Sequence, residues 1–147
     1  CSKKLNVKAL TRDLKRAGFP AEEIPSDLEQ AQREEVLRAF SNKRLPILVA
    51  TDILSRGIDI DHIDLVINYD VPHDGEDYVH RIGRTARAET DGTAYTFVTE
   101  KEQNKMAAIE QLLGKPVPKA KVPDELGPVP NYQPRSRRPT FSGKKRR

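Results

Sequence analysis

Two short runs, Ile47-Leu-Val-Ala50 and Leu65-Val-Ile-Asn-Tyr69, constrain the fold of this chain most. Both are apolar at almost every position instead of every second one, which is how a strand reads when both of its faces are covered. Covering two faces takes helices above and below the sheet, and the chain supplies them. Val7, Leu10, Leu14 and Ala17 recur at helical spacing, with Asn6 placed to cap the start and Gly18 to stop the helix. Ala21 to Ile24 predicts a short strand. Asp27 and Gln30 form a capping-box pair ahead of a helix that buries Val36, Leu37 and Phe40. Asp74 is placed to cap a helix through Tyr78, Val79 and Ile82, and Thr93 to Val98 alternates like a strand. Thr99 and Glu102 make a second capping box before Met106, Ile109, Leu112 and Leu113, with Gly114 as the stop. Strands alternating with amphipathic helices predict a layered α/β domain whose sheet is mainly parallel.

That pattern ends at Gly114. Residues 115–147 hold seven of the eleven prolines, few large apolar groups and a terminal Lys-Lys-Arg-Arg, so they are expected to form a disordered basic tail. Charge divides at the same place. Residues 1–114 carry 16 Lys/Arg against 20 Asp/Glu, net −4, whereas residues 115–147 carry 10 against 2, net +8. The positive field therefore belongs to the tail. Cys1 is the only cysteine, which excludes a disulfide framework and a cysteine-based zinc site and fits a reducing cytoplasm. No run approaches the roughly 18 apolar residues that cross a membrane, so no membrane partner is expected. A chain opening on Cys rather than Met is expected to be a fragment of a longer protein.

Residues 80–87 read His-Arg-Ile-Gly-Arg-Thr-Ala-Arg. The guanidiniums of Arg81, Arg84 and Arg87 stand three residues apart, close to one helical turn, so all three can lean to one side. They repel one another unless phosphate or carboxylate groups neutralise them. Taken alone, such a run is explained by a solvated basic helix. A second cluster lies upstream, Val49-Ala-Thr-Asp-Ile-Leu-Ser-Arg-Gly-Ile-Asp59, and its Thr51 sits where the chain leaves a strand. Ligands of parallel α/β sheets meet the carboxyl ends of strands.

In that order and at that separation, the two clusters resemble motifs V and VI of DEAD-box RNA helicases. Gln30-Ala-Gln-Arg33 resembles the family's Gln-x-x-Arg motif, and the opening Cys-Ser-Lys-Lys resembles the tail of motif IV. The likeness covers nearly all of residues 1–114. It implies a helicase C-terminal RecA-like domain with its first strand missing or clipped, followed by the tail of residues 115–147. It further implies that Thr51, Gly57 and Arg33 hold the RNA backbone and that Asp59 takes the ATP ribose hydroxyl. Arg84 and Arg87 would be arginine fingers at the γ-phosphate, while Arg56 and His80 would pair with carboxylates of the N-terminal RecA-like domain of the same parent chain. His62 and His73 are read as facing solvent.

Two positions depart from the family pattern. Pro25 stands where the family usually has His, which puts the loop ahead of Arg33 in doubt, and Ala86 replaces a more usual Gly. Neither a Gly-x-x-x-x-Gly-Lys-Ser/Thr phosphate loop nor an Asp-Glu-Ala-Asp run occurs in the 147 residues. By the resemblance, ATP and Mg²⁺ are then held mainly by an N-terminal domain outside this chain. The implied function is half of an ATP-dependent RNA helicase, inactive by itself, that binds RNA without regard to base sequence. A non-catalytic RNA-binding or annealing module is the alternative. A DNA-directed superfamily 2 helicase is disfavoured, since such relatives more often carry Gln where His80 stands. Motif wording and the short basic tail resemble the RhlE branch. Ribosomal or RNA-decay partners are not named by any of this.

Overall fold

In the computed structural model of the chain, which describes residues 1–24, 29–52, 60, 63–85 and 92–134, four strands pair two by two. Helix α1 spans Lys4–Arg16, three residues earlier than an Asn6 cap requires. Lys3 takes the cap position in an extended conformation, without a side-chain hydrogen bond. Val7 and Thr11 form its buried stripe, and the Thr11 hydroxyl donates to the Val7 carbonyl at 2.8 Å, so no polar group is stranded there. Gly18, at φ +87°, turns the chain out of the helix as expected. Strand β1, Ala21–Glu23, follows, then α2, Gln30–Ser41, and β2, Ile47–Val49. β1 and β2 run parallel, with Ala21 opposite Ile47 and Glu23 opposite Val49. Val36, Leu37 and Phe40 of α2 pack against buried Ile24 and Ile60, as the periodicity predicts. Asp27 and Pro25 lie outside the described residues; Glu29 occupies the cap position of α2 without a side-chain bond.

The second pair is β3, Leu65–Asn68, and β4, Thr93–Thr96, also parallel, with Ile67 opposite Tyr95. Between them comes α3, Gly75–Ile82, started by Asp74, whose carboxylate accepts from the Asp77 amide at 2.8 Å. After β4 the predicted capping box of Thr99 and Glu102 opens a 3-10 turn that runs into α4, Gln103–Leu113. Gly114, at φ +69°, closes it. Val71, Tyr78, Met106 and Ile109 form the second core. A Cβ on Gly92, at the entry to β4, would run into the backbone of Thr85, so that close approach requires glycine.

Two expectations need correction. β3 is not covered on both faces: Leu65 is 46% and Ile67 50% exposed, and the fully buried residue is Asn68. Helix α3 packs against β3, and buried Asn68 survives because it donates to the Thr96 hydroxyl at 3.0 Å. The segment after Gly114 is also not a free tail from its first residue. Val117 and Tyr132 pack on the second core, and Gln103 clamps the far end, donating to the Asn131 carbonyl and accepting from the Gln133 amide, both at 2.8 Å. Two apolar anchors and a carboxylate, Glu110, which accepts from the Tyr132 hydroxyl and the Val117 amide, offset the entropy of a proline-rich strap. Residues 135–147 lie outside the described residues.

Candidate functional site

Helix α3 sets the site. Its first turn carries Glu76 and Asp77 and its last turn His80 and Arg81, so its charges complement the helix dipole at both ends. Tyr78 and Arg81, one turn apart, face inward; Val79 and His80 face out.

Arg81 is 7% exposed and meets groups at the ends of both parallel pairs. Its Nε and Nη2 form a fork onto the carboxylate of Asp52, just past β2, with Nη2 to Oδ2 at 2.6 Å. Nη1 donates to the Asp70 carbonyl at 3.0 Å and reaches the Asp70 carboxylate and the Asn68 amide oxygen, each at 3.5 Å. Nη2 also donates to the Ser2 hydroxyl at 3.1 Å. Burial works against the guanidinium charge, and hydrogen bonding and charge from Asp52, aided by Asp70, outweigh it and raise its pKa further. Burial alone would raise the Asp70 carboxyl. The hydrogen bonds from the Ser2 hydroxyl and amide, with the positive charge of Arg81, hold it below its ordinary value instead. Cys1 completes the junction, its backbone nitrogen donating to the Ala50 carbonyl at 2.9 Å.

Of the two neutralising groups the run of guanidiniums requires, phosphate or carboxylate, Arg81 has carboxylate, supplied from within the chain, and so is turned inward. Arg84 lies beyond the end of the helix, after Gly83, and its amide donates to the Arg81 carbonyl at 3.3 Å. Together with His80, Val79, Gly83 and Ile60 it lines a cavity of about 320 Å³. A guanidinium and an imidazole over apolar walls suit an anionic oxygen-rich group. Thr51 is buried two residues past β2, at the carboxyl end of a parallel strand, as its sequence position implies. Arg33 sits on α2, and its Nε is buried without a hydrogen-bond partner. His73 is exposed. Arg56, Gly57, Asp59, His62, Ala86 and Arg87 lie outside the described residues. Among the described residues no group of three or more His, Cys, Asp or Glu converges to hold a metal ion, and no helix is long and apolar enough to cross a membrane.

Asp52, Asp70 and Ser2 were not among the residues expected at the site. Their signal was present: Asp52 stands two residues past the first apolar run, Asp70 directly follows the second, and Arg81 lies on the helix after it.

The family described as the helicase conserved C-terminal domain matches residues 1–89. An ATP-dependent rRNA helicase, RRP3, from Encephalitozoon cuniculi is 47% identical over 111 residues, which is 76% of this chain and 28% of that protein. The chain thus spans between a quarter and a third of the length of this relative. Among solved structures, a DEAD box protein from the hyperthermophile Methanococcus jannaschii superposes with a TM-score of 0.77 at 43% identity, covering 82% of this chain and 33% of that one. The E. coli DEAD-box protein SrmB, solved bound to regulator of ribonuclease activity A, gives 0.77 at 34% identity over 95% of this chain and 78% of that one. The last likeness has to run past Gly114.

Proposed function

Since the chain belongs to the helicase conserved C-terminal domain family, in the form DEAD-box proteins carry, we propose that it completes the ATP site of an RNA helicase whose other RecA-like domain holds the nucleotide. The observation that carries this reading is the division of labour around α3. Arg81 is turned inward onto carboxylates, whereas His80 and Arg84 line a cavity.

Phosphoryl transfer from ATP spreads negative charge over the γ-phosphate oxygens, and positioned guanidiniums stabilise it. Arg84 supplies that charge here, with Arg87 as its companion. Asp59 takes the ribose hydroxyl. Thr51, Gly57 and Arg33 hold the RNA backbone, while Arg56 and His80 face carboxylates across the cleft. Mg²⁺ and the nucleotide phosphates belong to the N-terminal domain. Contacts to phosphates and 2′-hydroxyls make RNA recognition indifferent to base sequence. Within the family we place the chain toward the RhlE branch, on its motif wording and basic tail, and in the cytoplasm, on its sparing use of cysteine.

The test is Arg84→Ala in the full-length parent. RNA-stimulated ATP turnover should fall by at least about 10³-fold, the range of arginine fingers, with an unchanged thermal melt. Normal turnover would overturn the reading, and so would loss of folding, which would make Arg84 a structural ion-pair residue.

A further inference from the structure

We propose that Arg81 is a positioning residue that locks the turn after β2, at Thr51 and Asp52, to α3 and the His80–Arg84 edge. The proposal takes from the reading above only what those two edges hold; the lock itself is a matter of geometry.

An arginine that binds a ligand keeps part of its fork open. All three nitrogens of the Arg81 fork have acceptors within the chain, and the residue is almost fully buried. The acceptors come from four places: Asp52 after β2, Asn68 in β3, Asp70 after β3, and Ser2 ahead of α1. A bidentate guanidinium–carboxylate pair fixes orientation as well as distance, which a lysine ammonium cannot do. The lock lies one turn before Arg84, whose amide bonds the Arg81 carbonyl, so the placement of Arg84 follows that of Arg81. Asp70 is held in turn by the Ser2 amide and hydroxyl, at 2.9 and 2.6 Å, so the acceptor cannot swing away.

The experiment is amide hydrogen exchange on this chain, without nucleotide or RNA, comparing it with Arg81→Lys and Asp52→Asn. Each variant should lose protection by about ten-fold or more, the effect of losing a charge-assisted hydrogen bond, at residues 51–52 and in α3 together. α4 and the strap over it should be unchanged, and the double variant should lose no more than either single one. A uniform loss across the domain, or a loss in α3 alone, would overturn the proposal. Binding of an oligouridylate is measured in parallel. Unchanged exchange with weakened binding would make Arg81 a ligand contact and overturn the lock. Failure of the unaltered chain to bind the oligonucleotide would count only against the RNA reading. Should Arg81→Lys not fold, Ser2→Ala removes one acceptor from the fork and one donor to Asp70. It should loosen both segments together by a smaller factor, and loosening one alone would overturn the lock.

Discussion

Arg81 and Arg84 are the same residue type three positions apart, and their surroundings differ: Arg81 is buried against carboxylates, whereas Arg84 lines a cavity. A buried guanidinium is tolerable only because Asp52 and Asp70 cancel its charge; removing one partner of such a group costs about 3–5 kcal/mol. The lowered Asp70 pKa makes this cluster pH-dependent. A carboxyl whose folded pKa lies below its unfolded value contributes stability that is present above the unfolded value and lost as pH falls through the folded one. For Asp70 the loss begins near the ordinary 3.8 and continues below it. Thermal melts from pH 6 to pH 2 should therefore show a falling melting temperature in that window. Asp70→Asn should lower the pH 6 value and flatten the acid slope; an equally steep slope in the variant would remove Asp70 from the account. None of this is visible from sequence proximity, because Arg81 meets Asp52 across 29 residues and Ser2 across 79. The run of three arginines reads as one motif, and only the fold separates the inward Arg81 from Arg84.

At the scale of elements, what was legible is what is local. Asp74 capping α3, the Thr99–Glu102 box and the Gly114 stop each involve residues within a few positions, so their chemistry is written in the chain itself. The missed features are tertiary. β3 reads as doubly buried because apolar residues fill it, yet its cover in this chain is one-sided. The strap reads as disordered from its prolines, yet Tyr132 reaches Glu110 across 22 residues. Glycines show the same divide. A Cβ at Gly75 would meet only the end of the Leu112 side chain, which is well exposed and can move, whereas a Cβ at Gly92 would meet Thr85 backbone. Gly92→Ala should thus destabilise by about 1–3 kcal/mol in denaturant unfolding, the range for overpacking, and Gly75→Ala by clearly less. Equal costs would contradict this packing.

For the whole molecule, the strap changes what the basic tail means. Residues 135–147 carry seven Lys/Arg and no acidic residue, and the described chain just before them is held by Gln103 and Tyr132. Deleting residues 135–147 should leave the melting temperature unchanged and flatten the salt dependence of RNA binding, by roughly 0.7 in log–log slope for each phosphate no longer neutralised. Deleting residues 115–147 should also lower the melting temperature, by on the order of 5–10 °C, since Val117 and Tyr132 are then removed from the second core. The same melting temperature for both truncations would mean that the strap contributes nothing. Mixing tests most directly the proposal that this chain completes an ATPase whose other domain lies outside it. ATP turnover is measured for the 147-residue chain, for a DEAD-box N-terminal domain bearing the phosphate loop, and for the two together with RNA. Background rates for each alone, and RNA-stimulated turnover only in the mixture, are the predicted result; turnover by this chain alone, or a mixture no faster than the N-terminal domain, would contradict it.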